Sequence, residues 1–183
     1  MASFLKKAKK LVNFSTMKKL LKTLSISLFA LTALFFVSAD APGLPSVKLK
    51  NLKGQSVDIQ DFAKSGKPVV ISFWATWCSP CKKELNNIAD IYDQWKEDYG
   101  VEIIAISVDD ARNTDKVKSY VNATQWPFTV LLDPNEDMKR ALNFQTVPYT
   151  LLLDKKGNIV YRHNSYVDGD EYILADEIKK VAK

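Results

Sequence analysis

Two nearly continuous apolar runs, VVISFW at 69–74 and VEIIAISV at 101–108, do most to limit what this chain can fold into. A strand wetted on one face alternates apolar and polar residues, whereas an unbroken apolar run of this length suits a strand buried on both faces. Between the two runs, Leu85, Ile88, Ile91, Tyr92 and Trp95 fall at helical spacing over 80–98, and Gly100 marks the stop. Strands alternating with helices in this way indicate an α/β sandwich around a mixed sheet.

The remaining elements continue the alternation. Residues 47–59, VKLKNLKGQSVDI, alternate around Lys53 and Gly54 and predict an edge hairpin. Residues 114–121 predict a short helix, WPFTVLLD a strand, and 135–142 another helix. YTLLLDKKGNIVYRH reads as a hairpin turning at Lys156 and Gly157, and 170–181 as a closing helix. There is no internal repeat.

The first 41 residues have a different character. From Met17 the chain reads MKKLLKTLSISLFALTALFFVSADA, with lysines at 18, 19 and 22, an apolar run from Leu24 to Val37 and then small residues. That is the layout of a secretory signal peptide, with cleavage expected after Ala39 or Ala41. Counting Leu20 and Leu21, residues 20–37 would serve instead as an uncleaved membrane tether. No cysteine follows the run, which excludes a lipidated N-terminus. Residues 1–16 are either a basic extension or the product of a start site placed too far upstream. Both readings of the leader put the remainder outside the cytoplasm.

The leader also accounts for the net charge of +5. Seven of the 26 Lys and Arg precede residue 40, so residues 42–183 carry 19 basic and 20 acidic side chains. Nucleic acid is not an expected partner, because a phosphate-binding surface needs a basic excess. These 142 residues are the usual size of one domain.

Both cysteines of the chain, Cys78 and Cys81, lie in WATWCSPCKKE at 74–84. Pro80 suits a first helical turn, where its missing amide hydrogen costs nothing. Cys78 then stands at a helix N-terminus, where unpaired amides and the helix dipole favour a reactive thiolate. Cys81 is one turn on, on the same side and within reach of a disulfide. A purely structural disulfide is the plain alternative, although so short a loop constrains the unfolded chain little. Zinc normally needs four protein ligands, or three and a water, and His163 is the one histidine in the chain. Covalent haem attachment needs histidine after the second cysteine, where Lys82 stands. No metal and no cofactor beyond a Cys78–Cys81 disulfide is expected.

FWATWCSPC followed by KKE, with TVPYTLLLDKKGNIV downstream, resembles the thioredoxin superfamily and, within it, the TlpA/ResA-like extracytoplasmic thiol-disulfide oxidoreductases. The resemblance runs from about Pro45 to the C-terminus. It implies a thioredoxin fold, a mixed sheet flanked by helices, with an N-terminal hairpin and an inserted helix-strand segment at about 109–133. It also implies reduction of protein disulfides, electrons from a membrane thiol transporter of the CcdA or DsbD kind and, for some relatives, a part in cytochrome c maturation. A monomer is expected.

Carried over residue by residue, Cys78 matches the family's attacking cysteine and Cys81 the resolving one. Pro148 matches the proline whose preceding bond, from Val147, is cis and which faces the disulfide. Thioredoxin carries a buried aspartate in the strand before the motif; Ser72 stands there in this chain, so a proton acceptor for Cys81 must come from elsewhere. Glu84 matches a glutamate used near the site by ResA-like members. Taken alone, a glutamate on an early helical turn is simply a favourable partner for the dipole. Trp77, Pro80, Val147 and Pro148 are the expected substrate-facing residues. Trp74 and Trp95 are assigned to the core, Lys82 and Lys83 to solvent, and His163 to a surface or half-buried strand position.

Two other functions share such a fold. A peroxide-reducing redoxin usually places Thr a few residues before its reactive cysteine in a Pro-rich loop; Thr76 is two before Cys78 and the loop is missing. A non-catalytic binding module would not need an intact CxxC.

Overall fold

A computed structural model describes residues 43–183, which form one body. The expected leader and tether lie outside the described residues. Among the described residues no helix is long and apolar enough to cross a membrane.

The hairpin consists of β1 (Lys48–Asn51) and β2 (Ser56–Asp58), followed by α1 (Ile59–Ala63). Next come β3 (Val69–Trp74), α2 (Ser79–Tyr99) and β4 (Glu102–Ser107). A 3-10 turn (Ala111–Asn113), α3 (Thr114–Thr124), β5 (Thr129–Leu132) and α4 (Asp137–Leu142) form the middle of the chain. It closes with β6 (Tyr149–Leu153), β7 (Ile159–Asn164) and α5 (Asp170–Ala182).

Seven strands make one sheet in the order β2-β1-β5-β4-β3-β6-β7. The β3–β4 and β4–β5 pairs are parallel and the others antiparallel, so the sheet is mixed. All six residues of β3 are buried, which is why its sequence is an unbroken apolar run apart from Ser72. The expected insertion supplies α3 and β5, and β5 gives the hairpin strand β1 its place in the sheet.

Local chemistry moves three boundaries from their expected places. The hairpin strand does not run to Ile59: the Asp58 carboxylate accepts from the Gln60 amide and caps α1, turning the chain into a helix. The helix expected from 135 begins at Asp137, because the buried Asp133 carboxylate takes the amides of Asp137, Met138 and Lys139. Helix α3 runs on to Thr124 and stops where Gln125 turns left-handed at φ 52°.

The helix stop at Gly100 and the turn at Gly157 stand as expected. Gly157 has φ 82°, and a Cβ there would lie 2.5 Å from the Ala63 carbonyl oxygen, so α1 and the β6–β7 turn touch through this glycine. Trp74 and Trp95 are both in the core. Trp74 meets Trp126 edge-on at 4.8 Å, and Phe73 packs on Phe144 at 4.6 Å, tying the centre of the sheet to the segments after α3 and α4.

Candidate active site

The parallel strands β3, β4 and β5 all end at one edge of the sheet, where open α/β sheets commonly place their ligands. Three segments meet there. Trp74 at the end of β3 leads into the CxxC loop. Ser107 at the end of β4 pairs with Trp74 and leads to Asp109. Phe73 pairs with Tyr149 across to β6, which sets Val147 and Pro148 beside the same edge.

Cys78 is the N-cap residue of α2, with extended backbone at φ −89° and ψ 100°. Its sulfur accepts from the Cys81 amide at 3.3 Å, so a free helix-end donor is aimed at it. Pro80 lies in the first turn, where it removes no helical hydrogen bond. Cys78 and Cys81 form a disulfide with Cα atoms 5.4 Å apart. Both cysteines are buried, Cys78 with 5% exposure and Cys81 with none, so the little surface the pair shows belongs to Cys78.

Trp77 is 69% exposed, the most open large apolar side chain among the described residues, and stands directly before Cys78. Pro80 is exposed, Val147 half-buried and Pro148 buried. The Val147–Pro148 bond is cis. The loop is held from the residue just past β7, where the Ser165 amide donates to the Pro148 carbonyl at 2.9 Å. Lys83 pairs with Asp168 at 2.7 Å in solvent, and the Lys82 ammonium sits 5.5 Å from the Tyr120 ring centroid.

Beneath the disulfide the site is polar. Glu84, one turn beyond Cys81 on α2, is 4% exposed and points into the core instead of toward solvent. Thr150 Oγ1 on β6 donates to its Oε1 at 2.7 Å, and Ser72 Oγ on β3 approaches its Oε2 at 3.4 Å. Burial pushes the Glu84 carboxyl from an ordinary value of 4.5 up to about 7; the two hydroxyls pull the other way and do not overcome it. The carboxyl therefore exchanges a proton near neutrality.

Two contributors were not visible in the sequence. Thr150 comes to Glu84 through β3–β6 pairing, a contact 66 residues apart. Asp109, buried at the end of β4, accepts from the Thr76 amide at 2.8 Å and the Thr76 hydroxyl at 2.6 Å and so clamps the loop before Cys78. The available signal for Asp109 was an acid directly after a buried strand, which taken alone has many explanations.

The family model described as AhpC/TSA family matches residues 41–162. The chain belongs to the AhpC/TSA family. It is 35% identical over 117 residues to the thiol-disulfide oxidoreductase ResA of Bacillus thuringiensis subsp. konkukian, covering 63% of this chain and 64% of that protein. It is 31% identical over 147 residues to the sporulation thiol-disulfide oxidoreductase A of Bacillus subtilis, covering 77% of this chain and 87% of that one. The chain thus spans just under two thirds of the ResA length and most of the sporulation protein. Among solved structures, an uncharacterized thioredoxin-like protein from Porphyromonas gingivalis superposes with a TM-score of 0.68 at 40% identity, covering 76% of this chain and 91% of that one. The fold of this AhpC/TSA-family chain is thioredoxin-like, as the CxxC segment implied.

Proposed function

We propose that the protein is a thiol-disulfide oxidoreductase that reduces protein disulfides outside the cytoplasm. The observation that carries this is the Cys78–Cys81 pair at the start of α2, Cys78 slightly exposed and Cys81 enclosed, with the buried Glu84 a turn further on. The names of the two curated relatives support it.

In the reduced protein, the Cys78 thiolate attacks one sulfur of a substrate disulfide. A mixed disulfide forms and one substrate sulfur leaves as thiolate. The Cys81 thiol gives its proton to the Glu84 carboxylate and its sulfur attacks Cys78. The second substrate sulfur leaves, and both substrate thiolates take protons from solvent. Two electrons pass from the enzyme dithiol to the substrate. The helix-end amide aimed at the Cys78 sulfur favours the attacking thiolate. Trp77 and the Val147–Pro148 edge receive the substrate chain, the latter in the manner of an added strand.

A membrane thiol transporter of the CcdA or DsbD kind regenerates the dithiol, and apocytochrome c in cytochrome c maturation is one substrate consistent with the resemblance. The leader supports a location outside the cytoplasm, and a monomer is the proposed working form. Peroxide reduction has less support, because both the amide and the hydroxyl of Thr76 are committed to Asp109.

The order of attack provides the test. Cys81→Ser should accumulate mixed disulfides with substrate proteins through Cys78, seen by mass spectrometry, while the wild type reduces protein disulfides with a potential near thioredoxin's, about −270 mV. Adducts on Cys81 in Cys78→Ser and none on Cys78 would reverse the roles. A potential near about −120 mV would make the protein an oxidant.

A further inference from the structure

The C-terminal hairpin and helix bring a second set of ionisable groups up to Glu84. Thr150 pairs with His163 across β6 and β7, and residues directly opposite in an antiparallel pair project to the same face. Thr150 faces α2, where it meets Glu84, so His163 faces the same layer. There His163 Nε2 lies 3.1 Å from Asp170 Oδ2, in the first turn of α5. The His163 ring stacks on Tyr161 with 6.1 Å between centroids. Glu84, Thr150, His163, Asp170 and Glu171 line one cavity of about 10 Å³, room for about one water. The His163 side chain is 33% exposed and that of Asp170 15%, so the cavity lies between a buried carboxyl and a pair that touches solvent.

We propose that the His163–Asp170 pair sets the proton affinity of Glu84 across this cavity, which makes both of them positioning residues for the Cys81 proton step. The inference rests on the reading of Glu84 as proton acceptor given above.

The ionisable groups facing Glu84 are Asp170 and Glu171 from α5 and Tyr161 and His163 from β7; β3 and β6 present only the hydroxyls of Ser72 and Thr150. Glu171 is already engaged by the Tyr166 hydroxyl at 2.7 Å and the Gly169 amide at 3.1 Å. Asp170 Oδ2 takes the Val167 amide at 2.9 Å and His163. Burial is the main reason Glu84 holds its proton, and the negative charges of Asp170 and Glu171 add to it. His163 offsets the Asp170 charge by donating to its Oδ2. Removing the two partners therefore moves Glu84 in opposite directions.

The experiment follows the rate of disulfide exchange against pH in the full chain. Asp170→Asn should lower the midpoint of the Glu84-dependent limb by about half a pH unit, roughly a threefold change in ionised fraction. His163→Phe, which keeps the ring against Tyr161 but neither charge nor donor, should raise it by a similar amount. Mere loosening would let water reach Glu84 and move both variants down toward an ordinary carboxyl value. Shifts of the same sign, or none, overturn the inference. In a Glu84→Gln background the limb and both shifts should vanish; shifts that persist there also overturn it. A Glu84→Gln profile superimposable on wild type would remove the parent role of Glu84, and the inference with it. A limb lost in Glu84→Gln yet unmoved by the other two variants would sink the inference alone.

Discussion

Thr150 Oγ1 donates to Glu84 Oε1 at 2.7 Å, joining the antiparallel strand β6 to the second turn of the helix that carries the cysteines. Ser72, on the strand beside it, approaches the other carboxyl oxygen. The ionisable group beneath the disulfide thus arrives from the helix, while the sheet supplies the hydroxyls that hold it. A carboxyl with one charged oxygen pair and two neutral donors is solvated poorly enough to favour its acid form, yet well enough to ionise near neutral pH.

Glu84 should make folding stability fall as pH rises. Its folded value of about 7 lies above the ordinary 4.5, so between these the native state binds more protons than the unfolded chain. Stability from the neutral carboxyl is fully present below about 4.5 and lost as pH climbs through about 7, a change of about 3 kcal/mol. Glu84→Gln has the same size and no charge. Denaturant unfolding of the oxidised proteins should therefore show the variant gaining on wild type by about that amount from pH 4.5 to 8.5. A difference independent of pH would mean that Glu84 is not titrating in this window.

The two hydroxyls can be ranked. Both favour the ionised carboxyl, so removing either should raise the Glu84 midpoint further. Thr150→Val, which deletes the donor at 2.7 Å, should do so more than Ser72→Ala, which deletes one at 3.4 Å. Following the Glu84 carboxyl carbon by NMR titration reads both shifts directly. A larger effect at Ser72 would reverse the ranking drawn from geometry.

The apolar runs at 69–74 and 101–108 revealed the buried strands because burial on both faces leaves a composition that no other element needs. Local signals also served: Pro80 and Gly100 bracket α2 to within one residue. Position 72 announced its own deficiency, and the resemblance nominated Glu84, which shares the apolar face of α2 with Ile88, Ile91 and Trp95 at i+4, i+7 and i+11. Its partners there, Thr150 and Ser72, come from strands whose pairing no short stretch encodes. The same holds for Asp109 on Thr76. Boundaries drifted where a side chain outbid periodicity, as when Asp58 capped α1 at the end of an alternating strand.

Trp77 separates docking from folding. With 69% of its surface exposed, it contributes little to the core, and Trp77→Ala should change unfolding free energy by less than about 0.5 kcal/mol. Reduction of a protein disulfide should slow by about tenfold, the scale of one lost aromatic contact at an interface, while a small disulfide reagent is affected much less. Equal slowing toward both would show that Trp77 acts on the sulfurs and not on the substrate chain.

Asp109 ties the end of β4 to the loop that delivers Cys78. Its buried carboxylate takes the half-buried Thr76 amide and hydroxyl and, at 2.9 Å, the buried Ser107 hydroxyl. Asp109→Ala leaves the Thr76 amide without its acceptor and should cost about 2–3 kcal/mol of stability, the scale of losing buried hydrogen bonds to a charged group. Thr76→Val keeps the amide bond and loses only the hydroxyl, so its cost should be nearer about 1 kcal/mol. Because Thr76 is two residues before Cys78, a freed loop also spreads the positions from which the thiolate attacks, and the Asp109→Ala exchange rate should drop about tenfold at saturating reductant. Denaturant unfolding and stopped-flow disulfide exchange on the same preparations measure both effects. Wild-type stability in Asp109→Ala, or a greater loss in Thr76→Val, would show that the loop is held by something other than this carboxylate.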